Sequence, residues 1–324
     1  MTLDPAAVER FRRDLRAALR SEVDGAILAL AVSGGPDSMA MLALAHAAFP
    51  DRIVAATVDH GLRAAAAQEA AMVAEHCGLL HVSHATLRPA APIGGGSIQA
   101  RAREARYALL LTWALEERAV ALLTAHHVED QAETFLMRAA RGSGVAGLAG
   151  IRPRRDLTGS DGGKLALVRP LLTWRRAELR AIAEASGPFA DDPSNRDPAF
   201  DRSRFRQLLA DSPELEAGQI AATATYAAEA QQALDDVTAL LWKNRADVSE
   251  GCVAIELGDL NRELRRRLAR RAIGHLLARP FDADNIEPLL DAFEAGKGAT
   301  RAGAMMSVRG NFATFRLAPP RRSH

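Results

Sequence analysis

The 324-residue chain, 48% hydrophobic and 25% charged, has the balance of a soluble globular protein with room for about two domains, which sets aside disordered and fibrous classes. A formal net charge of +1 removes any global electrostatic argument for nucleic acid, so such a partner has to be recognised through local patches. Two distant cysteines, Cys77 and Cys252, support neither a disulfide framework nor a zinc or iron–sulfur centre, and with no apolar run of ~20 residues and no signal-peptide pattern the expectation is a cytoplasmic protein without a membrane association.

The N-terminal "MTLDPAAVERFRRDLRAALR" reads as an amphipathic helix. Four runs of strand length follow: "AILALAV" (26–32), "RIVAATV" (52–58), "LLHVSHATL" (79–87) and "AVALLTA" (119–125). The helical stretches "DSMAMLALAHAA", "AAAAQEAAMVAEHCG" and "SIQARAREARYALLLTWALEER" separate them. This alternation predicts an α/β fold with a doubly wound, mainly parallel sheet, whose ligands sit beyond the carboxyl ends of the strands.

Past residue 142 the Gly- and Arg-rich "GSGVAGLAGIRPRRDLTGSDGGK" predicts loops. A helix "TWRRAELRAIAEASG" follows, with Thr173 as its N-cap and Gly187 as its stop. A boundary near residue 215 divides a catalytic domain (1–215) from a smaller, mostly helical one (216–324). The latter comprises helices over 216–244, 259–278 and 283–295, then two short strands around a Gly310-Asn311 turn.

The break between the first strand and first crossover helix is "SGGPDS", Ser33 to Ser38. Gly34 and Gly35 permit close approach to the free amides of a helix N-terminus that opens at Pro36, an anion site, and Ser33 and Ser38 add hydroxyls. Asp37 would repel a bare phosphate, so a cation has to mediate, and Mg2+ suits one carboxylate plus phosphate oxygens. A glycine turn with a simple helix cap is the plain alternative.

This string resembles the pyrophosphatase loop of the N-type ATP pyrophosphatases, which split ATP into AMP and pyrophosphate. "VDHGLR" (58–63), "SIQARAREARY" (97–107), "TAHHVEDQAETFLMRAARGSGVAGLAGI" (124–151), "RPLL" (169–172) and "DDPSNRDPAFDRSRFR" (191–206) together resemble the tRNA(Ile)-lysidine synthetase family. The resemblance implies a ligase that adenylates C2 of the wobble cytidine in the CAU anticodon of tRNA(Ile) and joins free L-lysine to it. It further implies ATP and Mg2+ as cofactors and Asp37 as the metal ligand. The Val58 backbone would lie near adenine, with His60 at the same strand end; at least one of His126 and His127 would contact nucleotide phosphate or cap its strand end; and Arg106, Arg103 three residues earlier, or both would neutralise the transition state.

Within the same resemblance, Asp130 and Glu133 hold the lysine ammonium, and one of them takes its proton. Arg202 and Arg206 are ligands for the substrate carboxylate or a tRNA phosphate. The family often has two adjacent aspartates where this chain has Glu129-Asp130, and Arg-Asn where it has Arg202-Ser203, which leaves Glu129 and Ser203 without an assigned role.

"LNRELRRRLARR" (260–271) is either a solvated face or a tRNA phosphate contact through Arg265, Arg266 and Arg270. Larger family members carry a further C-terminal domain, which a chain of this length is expected to lack. A 2-thiocytidine-type enzyme is the nearest rival, disfavoured by two isolated cysteines, and a binding module without catalysis is the rival from another class. Oligomeric state stays open, a homodimer included.

Overall fold

The computed structural model describes residues 3–20, 25–61, 64–91, 98–159, 162–191, 201–279, 281, 286–301 and 303–319, in two compact units, Met1–Ala228 and Glu229–His324. The division falls inside a helix, some way past the boundary expected near residue 215.

The first unit runs α1 (Pro5–Leu19), β1 (Leu28–Ala31), α2 (Pro36–Ala48), β2 (Ile53–Val58), α3 (Ala64–Leu79), β3 (Ser83–Leu87), α4 (Ile98–Glu116) and β4 (Ala121–Leu123). Then come α5 (Val128–Ala140), α6 (Val145–Leu148), β5 (Arg154–Thr158), β6 (Lys164–Val168), α7 (Arg176–Ser186), α8 (Asp201–Asp211) and α9 (Ala217–Arg245), which crosses into the second unit. Its sheet has the order β3-β2-β1-β4-β6-β5, parallel except for β5.

The central strands are continuous apolar runs because helices cover both of their faces: Leu28, Leu30 and Leu123 pack with α1, α2 and α7, and Ala29 and Leu122 pack with α4. Helix α2 is apolar nearly all round and is correspondingly buried. Cys77 sits in this core, where burial pushes its thiol up to about 11.

Two expectations need correction. The stretch read as loops contains the β5–β6 hairpin, closed by the Gly159 amide donating to the Gly163 carbonyl at 2.8 Å. Strand β5 buries only Leu157, so it carries no apolar alternation to betray it. The N-cap of α7 is Arg175, whose backbone N–H donates to Glu178 (2.7 Å), while the Thr173 hydroxyl donates to Asp14 (3.2 Å). Gly187 does end the helix.

The second unit contains more sheet than the mostly helical domain expected. After α9 come β7 (Ala246–Ser249), β8 (Cys252–Glu256), α10 (Arg262–Leu276), α11 (Glu287–Glu294), β9 (Ala299–Arg301), β10 (Ala304–Arg309) and β11 (Phe312–Leu317). The strands form an antiparallel sheet ordered β7-β8-β11-β10-β9. The β10–β11 hairpin turns at Gly310-Asn311 as expected, with Gly310 at φ 57. Val253, Ile255, Met306 and Phe315 point from alternate positions into a core with Leu268, Ile273, Leu290 and Phe293.

Candidate active site

In the first unit, β1 leads through α2 to β2 on one side, while β4 lies on β1's other flank, so the strand order reverses between β1 and β4. The loops leaving their carboxyl ends frame a crevice, where open α/β sheets bind ligands. There a cavity of about 910 Å³ is lined by Ser33, Gly35 to Ser38, Val58, His60, Arg103, Arg106, His126, His127, Asp130, Arg202 and Arg206, among others. Of the residues expected at the site in this unit, Gly34 and Glu133 alone do not line it.

The glycine loop is pinned from within. The Ser38 hydroxyl accepts from the Ser33 amide (3.1 Å) and donates to the Gly35 carbonyl (2.9 Å), and the Ala190 amide donates to the Gly34 carbonyl (2.9 Å). Gly34 stands at φ 87, a conformation side chains rarely adopt. Ser38 therefore shapes the loop, and the exposed Ser33 leans its hydroxyl on it, 3.2 Å from the Ser38 hydroxyl.

Asp37 opens α2 with one carboxylate oxygen 3.5 Å from His127 Nε2, while its other oxygen, Oδ1, is buried with no hydrogen-bond partner among the described residues. A buried, orphaned carboxylate oxygen is costly unless something positive meets it, which fits a divalent cation.

His127, 1% exposed, caps α5 and joins three carboxylates: Asp37, Glu129 (2.9 Å to Nδ1) and Asp130 (3.6 Å). Burial opposes its charge, but the hydrogen bonds to Asp37 and Glu129 and the charge of Asp130 carry its pKa up to about 9. Burial favours the neutral acid of Asp130, yet the charges of His127 and Arg202 hold it at about 2. Next door, burial pushes His126 down to about 3 against the pull of Asp130, so this ring is neutral, with Nδ1 3.1 Å from the Thr124 hydroxyl.

The expected Asp130/Glu133 pair divides by depth. Asp130 faces the cavity, whereas Glu133 is 0% exposed and sealed beneath three guanidiniums: Arg202 at 2.7 Å, Arg206 at 2.9 Å and Arg176 at 3.2 Å. Arg202 also donates to Asp130 Oδ1 at 2.7 Å. Glu133 thus holds arginines that line the cavity. Arg176 and Arg180, which line the cavity, were missed in the sequence, although their i, i+4 spacing at the start of α7 was the available sign.

On α4, Arg103 and Arg106 flank the Tyr107 ring at 5.1 and 5.3 Å, and Arg155 approaches it at 5.5 Å. His60 lines the cavity with Nδ1 buried and without a hydrogen-bond partner among the described residues, and burial together with Arg106 lowers its pKa. Asp59 turns away to the Gly61 amide and Arg88. Of the block expected over 191–206, residues 192–200 lie outside the described residues.

In the second unit, most arginines of α10 are spent internally. Arg265 donates to the Leu257 and Gly258 carbonyls (3.0 and 2.8 Å), Arg266 pairs with Glu287 (2.6 Å), Arg267 with Glu263 and Asp235, and Arg262 with Glu287, Asp291 and Glu294. Arg270 differs. With Arg271, Gly274, Arg279 and Phe281 it lines an open depression of about 410 Å³, and its Nε has no partner among the described residues.

A strand-order reversal crowned by a glycine loop, a helix N-terminus and a cation-ready carboxylate defines a PP-loop enzyme, and the PP-loop domain model matches residues 8–212. The chain belongs to the tRNA(Ile)-lysidine synthase family. It is 41% identical to the tRNA(Ile)-lysidine synthase of Novosphingobium aromaticivorans, covering 98% of this chain and 95% of that one. It is 40% identical to that of Zymomonas mobilis, covering 96% and 94%. Among solved structures, the U34-tRNA thiolase NcsA from Methanococcus maripaludis shares the fold, with TM-score 0.55 and 15% identity over 70% of this chain and 80% of that one. Among the described residues, no helix is long and apolar enough to cross a membrane.

Proposed function

We propose that the protein ligates L-lysine to C2 of the wobble cytidine in the CAU anticodon of tRNA(Ile), using ATP and releasing AMP and pyrophosphate. The observation that carries this reading is the adjacency of Asp37 and Asp130 across His127, at 3.5 and 3.6 Å, within one cavity. Adenylation and amine transfer need a pyrophosphate end and an amine end in contact, and these two carboxylates mark them. Two free cysteines fit a cytoplasmic setting.

Amides at the start of α2 and the Ser33 hydroxyl would receive the departing pyrophosphate. Asp37, through its unpartnered oxygen, would hold Mg2+, which supplies charge neutralisation for the phosphates. Arg106 and Arg103 line the same cavity and would neutralise the charge that develops on the transferring phosphorus. The neutral His126 and the lowered His60 can donate hydrogen bonds there without adding charge.

A lysine ε-ammonium reaching Asp130 takes the place of Arg202 Nη2, and the released guanidinium, with Arg206, meets the lysine carboxylate. This exchange serves the chemistry. An ammonium has a pKa of ~10 and has to lose its proton to attack; a carboxylate held at about 2 is a poor acceptor, and it becomes a better one as Arg202 leaves.

The test is incubation with ATP, magnesium and labelled lysine of the minor tRNA(Ile) transcript and of a copy with the wobble cytidine replaced. Label in the first and none in the second supports the reading; label in neither sinks it.

For tRNA contact by the second unit, the pairing of Arg265 and Arg266 shifts the proposal toward Arg270 with Arg279. The Arg270→Ala/Arg279→Ala variant is expected to bind tRNA more weakly and to lower the slope of log affinity against log salt by about 2, one contact each. Arg265→Ala is expected to cost thermal stability. An unchanged salt slope in the double variant would count against this surface.

A further inference from the structure

Neither Arg10 and Asp14 of α1 nor Trp174 lines the cavity, yet hydrogen bonds run from them without a break to the first turn of α5. Asp14 Oδ2 accepts from the Trp174 indole Nε1–H at 3.1 Å and from the Thr173 hydroxyl at 3.2 Å. The Arg10 guanidinium lies 4.1 Å from the Trp174 ring centroid and donates to the Thr173 carbonyl and to Glu178, both at 2.8 Å. Trp174, 1% exposed, is held in place, and its carbonyl accepts at 3.0 Å from the amide of Val128, the first residue of α5. Two residues along, the Arg176 amide donates to Glu129 Oε2, which also meets His127 Nδ1, both at 2.9 Å.

The opening amides of a helix have no acceptor within it, and such ends fray unless something outside holds them. Here the Trp174 carbonyl holds one. Reactive groups have to stay within about 0.5 Å of their working geometry, so a strut fixed at Asp14 and ending at Val128 bears on where Asp130 stands. Glu129, whose role the sequence left open, spans the gap between the Arg176 backbone and the His127 ring.

We propose that Asp14 and Trp174 are positioning residues for the amine-transfer half of the reaction, bracing the first turn of α5 so that Asp130 meets the incoming lysine. The inference rests on the lysine-ligation reading.

Its test uses the full chain with Asp14→Ala, Trp174→Phe, which keeps an aromatic ring, though a smaller one, and removes the indole N–H, and Asp14→Asn, whose side-chain oxygen can still accept that N–H. In the first two variants the KM for lysine is expected to rise about tenfold, while tRNA-dependent ATP–pyrophosphate exchange stays within about twofold of the unsubstituted chain. Hydrogen exchange at the Val128 amide is expected to quicken about tenfold. Asp14→Asn is expected to restore both. A general loss of stability would lower every rate together and leave KM alone.

Unchanged lysine KM and unchanged Val128 exchange in a folded variant would overturn the brace, as would a failure of Asp14→Asn to restore them. If Asp14→Ala does not fold, Trp174→Phe gives the same two readings. Absence of lysine incorporation by the unsubstituted chain would instead overturn the ligation reading, because Val128 exchange still reports on the brace.

Discussion

Asp37→Asn is expected to lower AMP formation from ATP by ~10²- to 10³-fold, with tRNA(Ile) and lysine saturating. The carboxylate stands at the start of α2 beside the glycine loop, with one oxygen buried and without a hydrogen-bond partner among the described residues. Asparagine keeps the shape and removes the charge that draws in a cation. The helix itself does not depend on that charge: Gly35 and Pro36 start it, and His127 keeps Glu129 and Asp130 as partners. Thermal unfolding should therefore stay within a few degrees of the unsubstituted chain. AMP formation within tenfold of normal would remove Asp37 from the reaction.

Glu133→Ala is expected to act on stability as well as activity. This carboxylate is 0% exposed and is the shared acceptor of Arg176, Arg202 and Arg206. Without it three guanidiniums face one another across an empty space. Breaking a buried pair costs about 3 to 5 kcal/mol; the lower end applies because the arginines can turn toward solvent, giving a fall in Tm of about 6 to 12 °C for a unit of this size. The same variant should use lysine poorly, since Arg202 and Arg206 lose the group that aims them. A Tm within two degrees of the unsubstituted chain would show that Glu133 is not the keystone of this cluster.

The parallel sheet was legible because its central strands are buried on both faces and so spell themselves as unbroken Ala, Val and Leu runs between helices. The glycine loop was legible because few other arrangements put Ser-Gly-Gly and a carboxylate at a helix start. Strands β5 and β7 were not, because each is short and largely exposed, so neither shows a buried apolar face. Spacing put Asp130 and Glu133 on one face of α5, but three residues of helix also separate them by depth, and only the arginines of α7 and α8 reveal which one faces the cavity. The arginine run of α10 likewise hid its partners, since Glu287, Asp291 and Glu294 arrive some twenty to thirty positions later on α11.

Strand β5 has a consequence for how the molecule keeps to itself. It forms one rim of the six-stranded sheet, where unpaired backbone groups would offer a template to a strand from another copy. Arg154, Arg155 and Asp156 stand exposed along that rim, and Arg154 also grips the Leu19 carbonyl at 2.6 Å. Exposed charged side chains have to stay hydrated, so a strand pairing along this rim would have to strip their water, and the β5 edge is blunted against strand addition.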